Sequence, residues 1–253
     1  MSEPFIVHSH IPKTGGSSLN RRVLFPMYGE KRVYQMYRYV FETASRLPRR
    51  HVAQAMRSFV AVGHVPFGYF DEIYPDALYV SVFREPVSRF VSFLNFVLSN
   101  PEHAVRQKLD KEVVRNAGED PDRFISSVLA EPRLAIVHPN AQVRLASGAA
   151  RLGETPVTKH HLEAALRNVA RDRYVTGVQE NMPSVIQQLQ TRFPNLRPRS
   201  ASAAQLEKRL TKTLNVDQLS AKTKDKLRAA NELDLRLYES VCDRLETPIA
   251  NAA

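Results

Sequence analysis

The tightest constraint on this chain is a short stretch near its start. Residues 4–11 (PFIVHSHI) form an apolar, β-branched run of the kind that makes a buried strand, and they pass directly into Pro12-Lys13-Thr14-Gly15-Gly16-Ser17-Ser18 and a stretch rich in Leu and Arg. The order is strand, turn, helix. Only nine glycines occur in 253 residues, so two adjacent ones at this junction mark backbone that takes positive φ or approaches something closely. An anion suits the place. Successive N–H groups at a helix N-terminus, the Ser17 and Ser18 hydroxyls and the Lys13 ammonium would converge on it, with the helix dipole adding to their pull. The same residues also suit a plain strand-to-helix turn with an exposed lysine. Neither common nucleotide-binding spacing is present: Lys13 precedes the glycines, unlike G-x-x-x-x-G-K-[ST], and no G-x-G-x-x-G occurs.

Further strands are expected at Phe59 to Val65, ending in Gly63-His64, and at Ala77 to Phe83, whose LYVSVF core carries no charge. The latter runs into Arg84-Glu85-Pro86. Pro86 suits the first turn of a helix through Val87, Phe90, Val91, Leu94 and Val97. Strands alternating with helical patterns favour a parallel α/β sheet. Beyond residue 100 the patterns are mostly helical, at Asp122 to Ala130, Asn140 to Ser147, Lys159 to Ala170 and Ser184 to Phe193, with one more strand at Arg173 to Val178. One long or broken helix is expected from Asp217 to Leu245, and the Pro-, Ser- and Ala-containing stretch from Pro194 to Asn215 reads as a mobile connection.

Thirty-six Lys plus Arg against 26 Asp plus Glu leave a formal charge of +10, so an anionic partner is expected. From Arg197 to Arg228 nine basic residues face three acidic ones, more than half of that excess. A composition of 43% hydrophobic and 25% charged residues excludes a disordered or fibrous chain, and the length suits a single domain over residues 1–253. The one cysteine, Cys242, excludes an intramolecular disulfide and a Cys-rich zinc site. Among Leu237, Val241 and Leu245 it reads as core packing in a reducing compartment. Neither a leader pattern nor a run of about 18 apolar residues is present, so a cytoplasmic protein with no transmembrane segment is expected.

Two motifs carry a resemblance to a known family. HIPKTGGSSL (10–19) resembles the 5′-phosphosulfate loop of sulfotransferases that use 3′-phosphoadenylyl sulfate (PAPS), and FREPVSRFVSF (83–93) resembles their 3′-phosphate motif. GHVPF (63–67), NAQVRLASG (140–148), YVTGVQENMPSVIQQL (174–189) and NELDLRLYESV (231–241) extend the likeness to the carbohydrate O-sulfotransferase branch, typified by heparan sulfate 2-O-sulfotransferase. The chain departs from that branch in its shortness, and no membrane anchor is expected in it.

The resemblance implies an α/β fold, a P-loop-like central parallel sheet flanked by helices with a mostly helical second half. It implies PAPS as co-substrate, PAP as product, and a hydroxyl-bearing acceptor, a carbohydrate above all, with no metal. Lys13, Thr14, Gly15, Gly16, Ser17 and Ser18 would surround the 5′-phosphosulfate, and Arg84 and Ser92 would hold the 3′-phosphate. Lys212 and Thr213 would close over the donor from the late basic segment. Lys13 would stabilise the leaving oxygen, His64 stands where the branch has its catalytic base, and His10 stands at a substrate-contacting position. Arg89 is open between a structural and a binding role. His160 and His161 are expected to be solvated, while His8, His51, His103 and His138 have no assigned part. Three other readings stay open: a phosphotransferase with an atypical loop, a nucleic-acid-binding module suggested by charge alone, and a PAPS-binding relative without activity.

Overall fold

A computed structural model describes residues 4–37, 49–131, 139–149, 156–197 and 213–246. Its centre is β1 (Ile6–Ser9), whose four residues are all buried and whose side chains alternate between two faces. Pairing on both sides is parallel: β3 (Val60–Gly63) lies against one edge of β1 and β4 (Leu78–Phe83) against the other. β2 (Val33–Gln35) joins β3, and β5 (Tyr174–Val178) joins β4, giving the order β2-β3-β1-β4-β5. Parallel sheets of this kind are covered on both faces, and here the strands are accordingly near-continuous apolar runs.

One face packs Ile6, Val60, Val62, Leu78, Val80 and Val82 against Leu19, Val23 and Leu24 of the first helical segment and Val185 and Leu189 of α10 (Met182–Arg192). That first segment begins as α1 (Gly16–Leu19), widens into a π turn (Asn20–Leu24) and ends as α2 (Phe25–Tyr28). The opposite face packs Val7, Ala61, Tyr79 and Phe83 against α8 (Ala141–Ser147), α9 (Lys159–Val169) and α12 (Glu232–Glu246); Ala55 of α3 (Arg49–Ala55) joins this cluster. A third apolar cluster gathers α4 (Pro86–Leu98), α5 (Ala104–Gln107), α6 (Lys111–Glu119), α7 (Pro121–Ala130) and α11 (Ala221–Ala230).

The expected α/β architecture is present, with differences at particular places. β2 has only three residues, too few for a periodic signal, and is held by its register with β3. The late helical stretch breaks at Asn231, whose side chain bonds back to the Leu227 carbonyl at 2.9 Å between α11 and α12. Cys242 is half-buried and packs against the core cluster that holds Leu237 and Val241. The mobile connection expected over 194–215 lies largely outside the described residues. No helix among the described residues is long and apolar enough to cross a membrane.

Candidate active site

Because every strand points the same way, the residues that follow their C-terminal ends meet along one edge of the sheet: Tyr37 after β2, His64 after β3, His10 and Lys13 after β1, Arg84 after β4 and Gln179 after β5. This is where open parallel sheets place ligands.

The loop after β1 is held by its own atoms. The Thr14 hydroxyl, fully buried, donates to the Ile11 carbonyl at 2.9 Å, so this side chain closes the turn rather than facing a ligand. Lys13 has φ 69° and Gly15 φ 86°, two left-handed residues separated by one; for a lysine this is uncommon backbone that the surrounding contacts must maintain. The carbonyl of Gly15 accepts from the amides of Ser18 (2.9 Å) and Leu19 (3.2 Å), which starts the helix and aims the preceding amides outward from its N-terminus. Ser17 is exposed and Ser18 half-buried. The Lys13 ammonium lies 4.8 Å from the centre of the Phe96 ring on α4, and burial, then the nearby Arg84, lower its pKa.

Arg84 is fixed more firmly than its motif suggested. Gln142, buried at the start of α8, accepts from the Arg84 amide and donates to the Arg84 carbonyl, both at 2.9 Å. The guanidinium then reaches the Lys13 carbonyl at 3.2 Å, tying the first motif to the second. Behind Gln142 stands Asp234 of α12, fully buried, whose carboxylate accepts from the amides of Gln142 (3.2 Å) and Val143 (2.8 Å) and so caps α8. Arg89 is buried and faces the same carboxylate at 3.9 Å, on the inner side of this scaffold. Burial lowers the pKa values of both Arg84 and Arg89 and raises that of Asp234. Glu85 caps α4 by accepting from the Val87 and Ser88 amides, at 3.0 and 2.7 Å, with Pro86 behind it as expected. Ser92 is half-buried, one turn before Phe96 on α4, so it shares a side of that helix with the Lys13 ammonium.

Three histidines meet beside the loop. The His10 ring lies 5.2 Å from His8 and 5.2 Å from His64, centre to centre, and Tyr37 lies 5.3 Å from His64 and 5.5 Å from His10. His64 Nδ1 contacts the His10 backbone carbonyl at 2.6 Å. Since a carbonyl only accepts, Nδ1 carries the hydrogen and Nε2 carries the lone pair, the state a proton acceptor needs. Burial lowers the pKa values of all three rings: His8 to about 4, His10 well below its ordinary value, and His64 in spite of its carbonyl partner. They are neutral at pH 7.

The remaining sequence candidates fall elsewhere. Thr213 is exposed beside Gly118 of α6, and its neighbour Leu214 is bound through both backbone groups to Asn95 of α4; no hydrogen bond among the described residues joins Thr213 to Lys13 or Arg84. Lys212 lies outside the described residues. His160 is exposed, and His161, half-buried, shares a solvent-facing capping box with Thr158 at the start of α9. Asn20, Tyr37, Phe96, Gln142 and Asp234 are the contributors that sequence reasoning missed. Asp234 had left a trace, as an acidic residue on the apolar stripe of Leu237 and Val241.

The sulfotransferase family model matches residues 2–239. Among six solved chains that match is the crystal structure of a sulfotransferase from Alicyclobacillus acidocaldarius, with a TM-score of 0.51 and 14% identity over 96% of this chain and 97% of that one; at this identity the likeness is one of fold. No curated protein sequence matches. The two motifs joined through Arg84 and Lys13 thus sit inside a family match spanning nearly the whole sequence, and the chain belongs to the sulfotransferase family.

Proposed function

We infer that this protein moves a sulfuryl group from PAPS to a hydroxyl of a carbohydrate or other small acceptor and releases PAP. The observation that carries the reading is the contact between Arg84 and the Lys13 carbonyl, which sets two cationic motifs at a fixed separation, as a donor with phosphate at both ends requires. The outward amides of the Lys13–Ser18 loop suit the phosphosulfate, and the Arg84 guanidinium, with Ser92 on α4, suits the 3′-phosphate. Carbohydrate as acceptor rests on the motif resemblance; a cytoplasmic location and a single catalytic domain belong to the same reading.

Transfer proceeds in line. The acceptor oxygen bonds to sulfur as the bridging S–O bond breaks, the bond pair leaves on the phosphate oxygen, and the hydroxyl proton passes to His64 Nε2. Lys13 is the group to stabilise charge on the leaving oxygen, provided its ammonium swings away from Phe96. A neutral His64 requires no deprotonation before it acts. Its lowered pKa in the free protein places the acid limb of kcat/KM below the ordinary histidine value of about 6.5.

The test is transfer of radiolabelled sulfate from PAPS to a panel of saccharides, with PAP binding followed by thermal shift. PAP is expected to raise the Tm. Lys13→Ala weakens PAP binding and abolishes transfer, whereas His64→Ala abolishes transfer and leaves PAP binding near native. A native protein whose Tm neither PAP nor PAPS moves sinks the reading.

A further inference from the structure

The three histidines are not equivalent, and the hydrogen bonds around them assign each a tautomer. His8 is fully buried on the central strand, and its Nδ1 lies 2.5 Å from Asn20 Oδ1 in the π turn. The other end of that amide, Asn20 Nδ2, donates to the Tyr37 hydroxyl at 2.7 Å, and the same hydroxyl lies 3.1 Å from His10 Nδ1. A phenol has one hydrogen. With its oxygen accepting from Asn20, that hydrogen goes to His10 Nδ1, which must therefore present a lone pair. Turning the amide over would reverse the chain and place a hydrogen on His8 Nε2, a fully buried atom with no partner among the described residues. An orphaned buried N–H is the rarer and costlier outcome, so the chain runs from His8 through Asn20 and Tyr37 to His10. Burial pushes the Tyr37 pKa up to about 12, which keeps its hydroxyl protonated.

A lone pair on Nδ1 puts the hydrogen of neutral His10 on Nε2. That atom lies over the loop: a Cβ placed on Gly16 would come within 2.6 Å of it. No hydrogen bond to it occurs among the described residues. His10 and His64, 5.2 Å apart, thus hold opposite tautomers, an N–H at the anion loop and a lone pair beside it.

The geometry points to His10 as a catalytic hydrogen-bond donor to the phosphosulfate, its Nε2–H directed at oxygen that gains charge as the S–O bond opens, with Tyr37 and Asn20 as positioning residues that hold it in the donor tautomer. This rests on the sulfuryl-transfer reading and moves His10 from the acceptor's side of the site to the donor's. No proton is transferred by His10; the hydroxyl proton still goes to His64. A donor fixed before the reaction costs no reorganisation during it, and removing one such donor from an anion site typically lowers kcat by about 10²–10³.

The test pairs two substitutions at His10 with one at Tyr37, and reads kcat, KM for PAPS, PAP affinity by calorimetry, and ¹⁵N spectra of labelled histidine. His10→Gln keeps an N–H near the Nε2 position and is expected within about tenfold of native kcat, whereas His10→Met, of similar bulk without a donor, falls by about 10²-fold or more. Tyr37→Phe is expected to lower kcat by about tenfold, the order for losing one hydrogen bond that holds the ring, with PAP affinity near native. The spectra should show Nε2–H for His10 and Nδ1–H for His64 in the native protein, and a mixed His10 population in Tyr37→Phe. The proposal fails if native His10 carries its hydrogen on Nδ1, or if His10→Met binds PAP and turns over like His10→Gln. If the native protein does not bind PAP, the sulfuryl-transfer reading fails and the proposal with it; normal PAP binding with an unaffected His10→Met removes the proposal alone.

Discussion

Gly16 carries no side chain because His10 occupies the place where one would begin: a Cβ there would collide with the edge of the imidazole. The ring has little room to yield, lying between His8 and His64 and tethered by Tyr37. Gly16→Ala is therefore expected to cost about 1–3 kcal/mol, the usual range for overpacking a filled site, and to reduce transfer by displacing His10. Gly118 is the control. It is exposed on α6, with nothing nearer to a new Cβ than Thr213 Cγ2 at 4.0 Å, so Gly118→Ala should gain about 0.5–1 kcal/mol from helix propensity alone. Urea denaturation of both variants checks the pair. A Gly16→Ala protein as stable as native would show that the loop shifts freely and that His10 is not held where the hydrogen bonds place it.

At the scale of elements, the site depends on a helix junction remote in sequence from both motifs. Asp234 on α12 caps α8, Gln142 on α8 clamps the Arg84 backbone, and Arg84 reaches the loop after β1. Asp234→Ala removes the acceptor for two amides and leaves Arg89, with 2% of its side chain exposed, without its carboxylate. Breaking a buried pair in this way costs about 3–5 kcal/mol. The loss should also appear as weaker PAP binding, because Gln142 no longer has a fixed origin. Asp234→Asn, which keeps an acceptor oxygen, is expected to be milder in both measurements; equal PAP affinity in all three proteins would show that Arg84 does not need this support. The chain of contacts also explains what was legible in the sequence. The Gly-Gly turn, the strand ending at His64 and the helix starting at Pro86 were readable because glycine, proline and apolar runs act locally. Asn20, Tyr37 and Gln142 were not, and Asp234 showed only as an acidic residue on an apolar stripe, since each acquires its role from a partner 12 or more residues away. The Asn20 side chain gave no local sign that the helix would widen into a π turn around it, although such turns often accompany functional sites.

Across the whole molecule, a sheet that buries both faces forces any polar group on its central strand to be neutral or paired, and this chain places His8 there and His10 and His64 at its edge. That arrangement makes acid a global destabiliser. In the unfolded chain each histidine takes up a proton near pH 6.5, whereas folded His8 does so only at about 4, so the unfolded state binds more protons between those values. Stability contributed by the neutral ring is thus fully present above about pH 6.5 and is lost as pH falls toward 4. His8 alone accounts for about 2 kcal/mol between pH 7 and pH 5, and the lowered values of His10 and His64 act in the same direction. Most carboxylates titrate below that window, near pH 4; buried Asp234, with its pKa raised, acts in the opposite direction, so the His8 share is read from a difference between two proteins. Urea midpoints measured at pH 7, 6 and 5 should fall steadily. The same series on His8→Asn, which keeps a donor for Asn20 but cannot take up a proton, should fall less by roughly the His8 share. Parallel slopes for the two proteins would mean that His8 is not held neutral by burial in the fold.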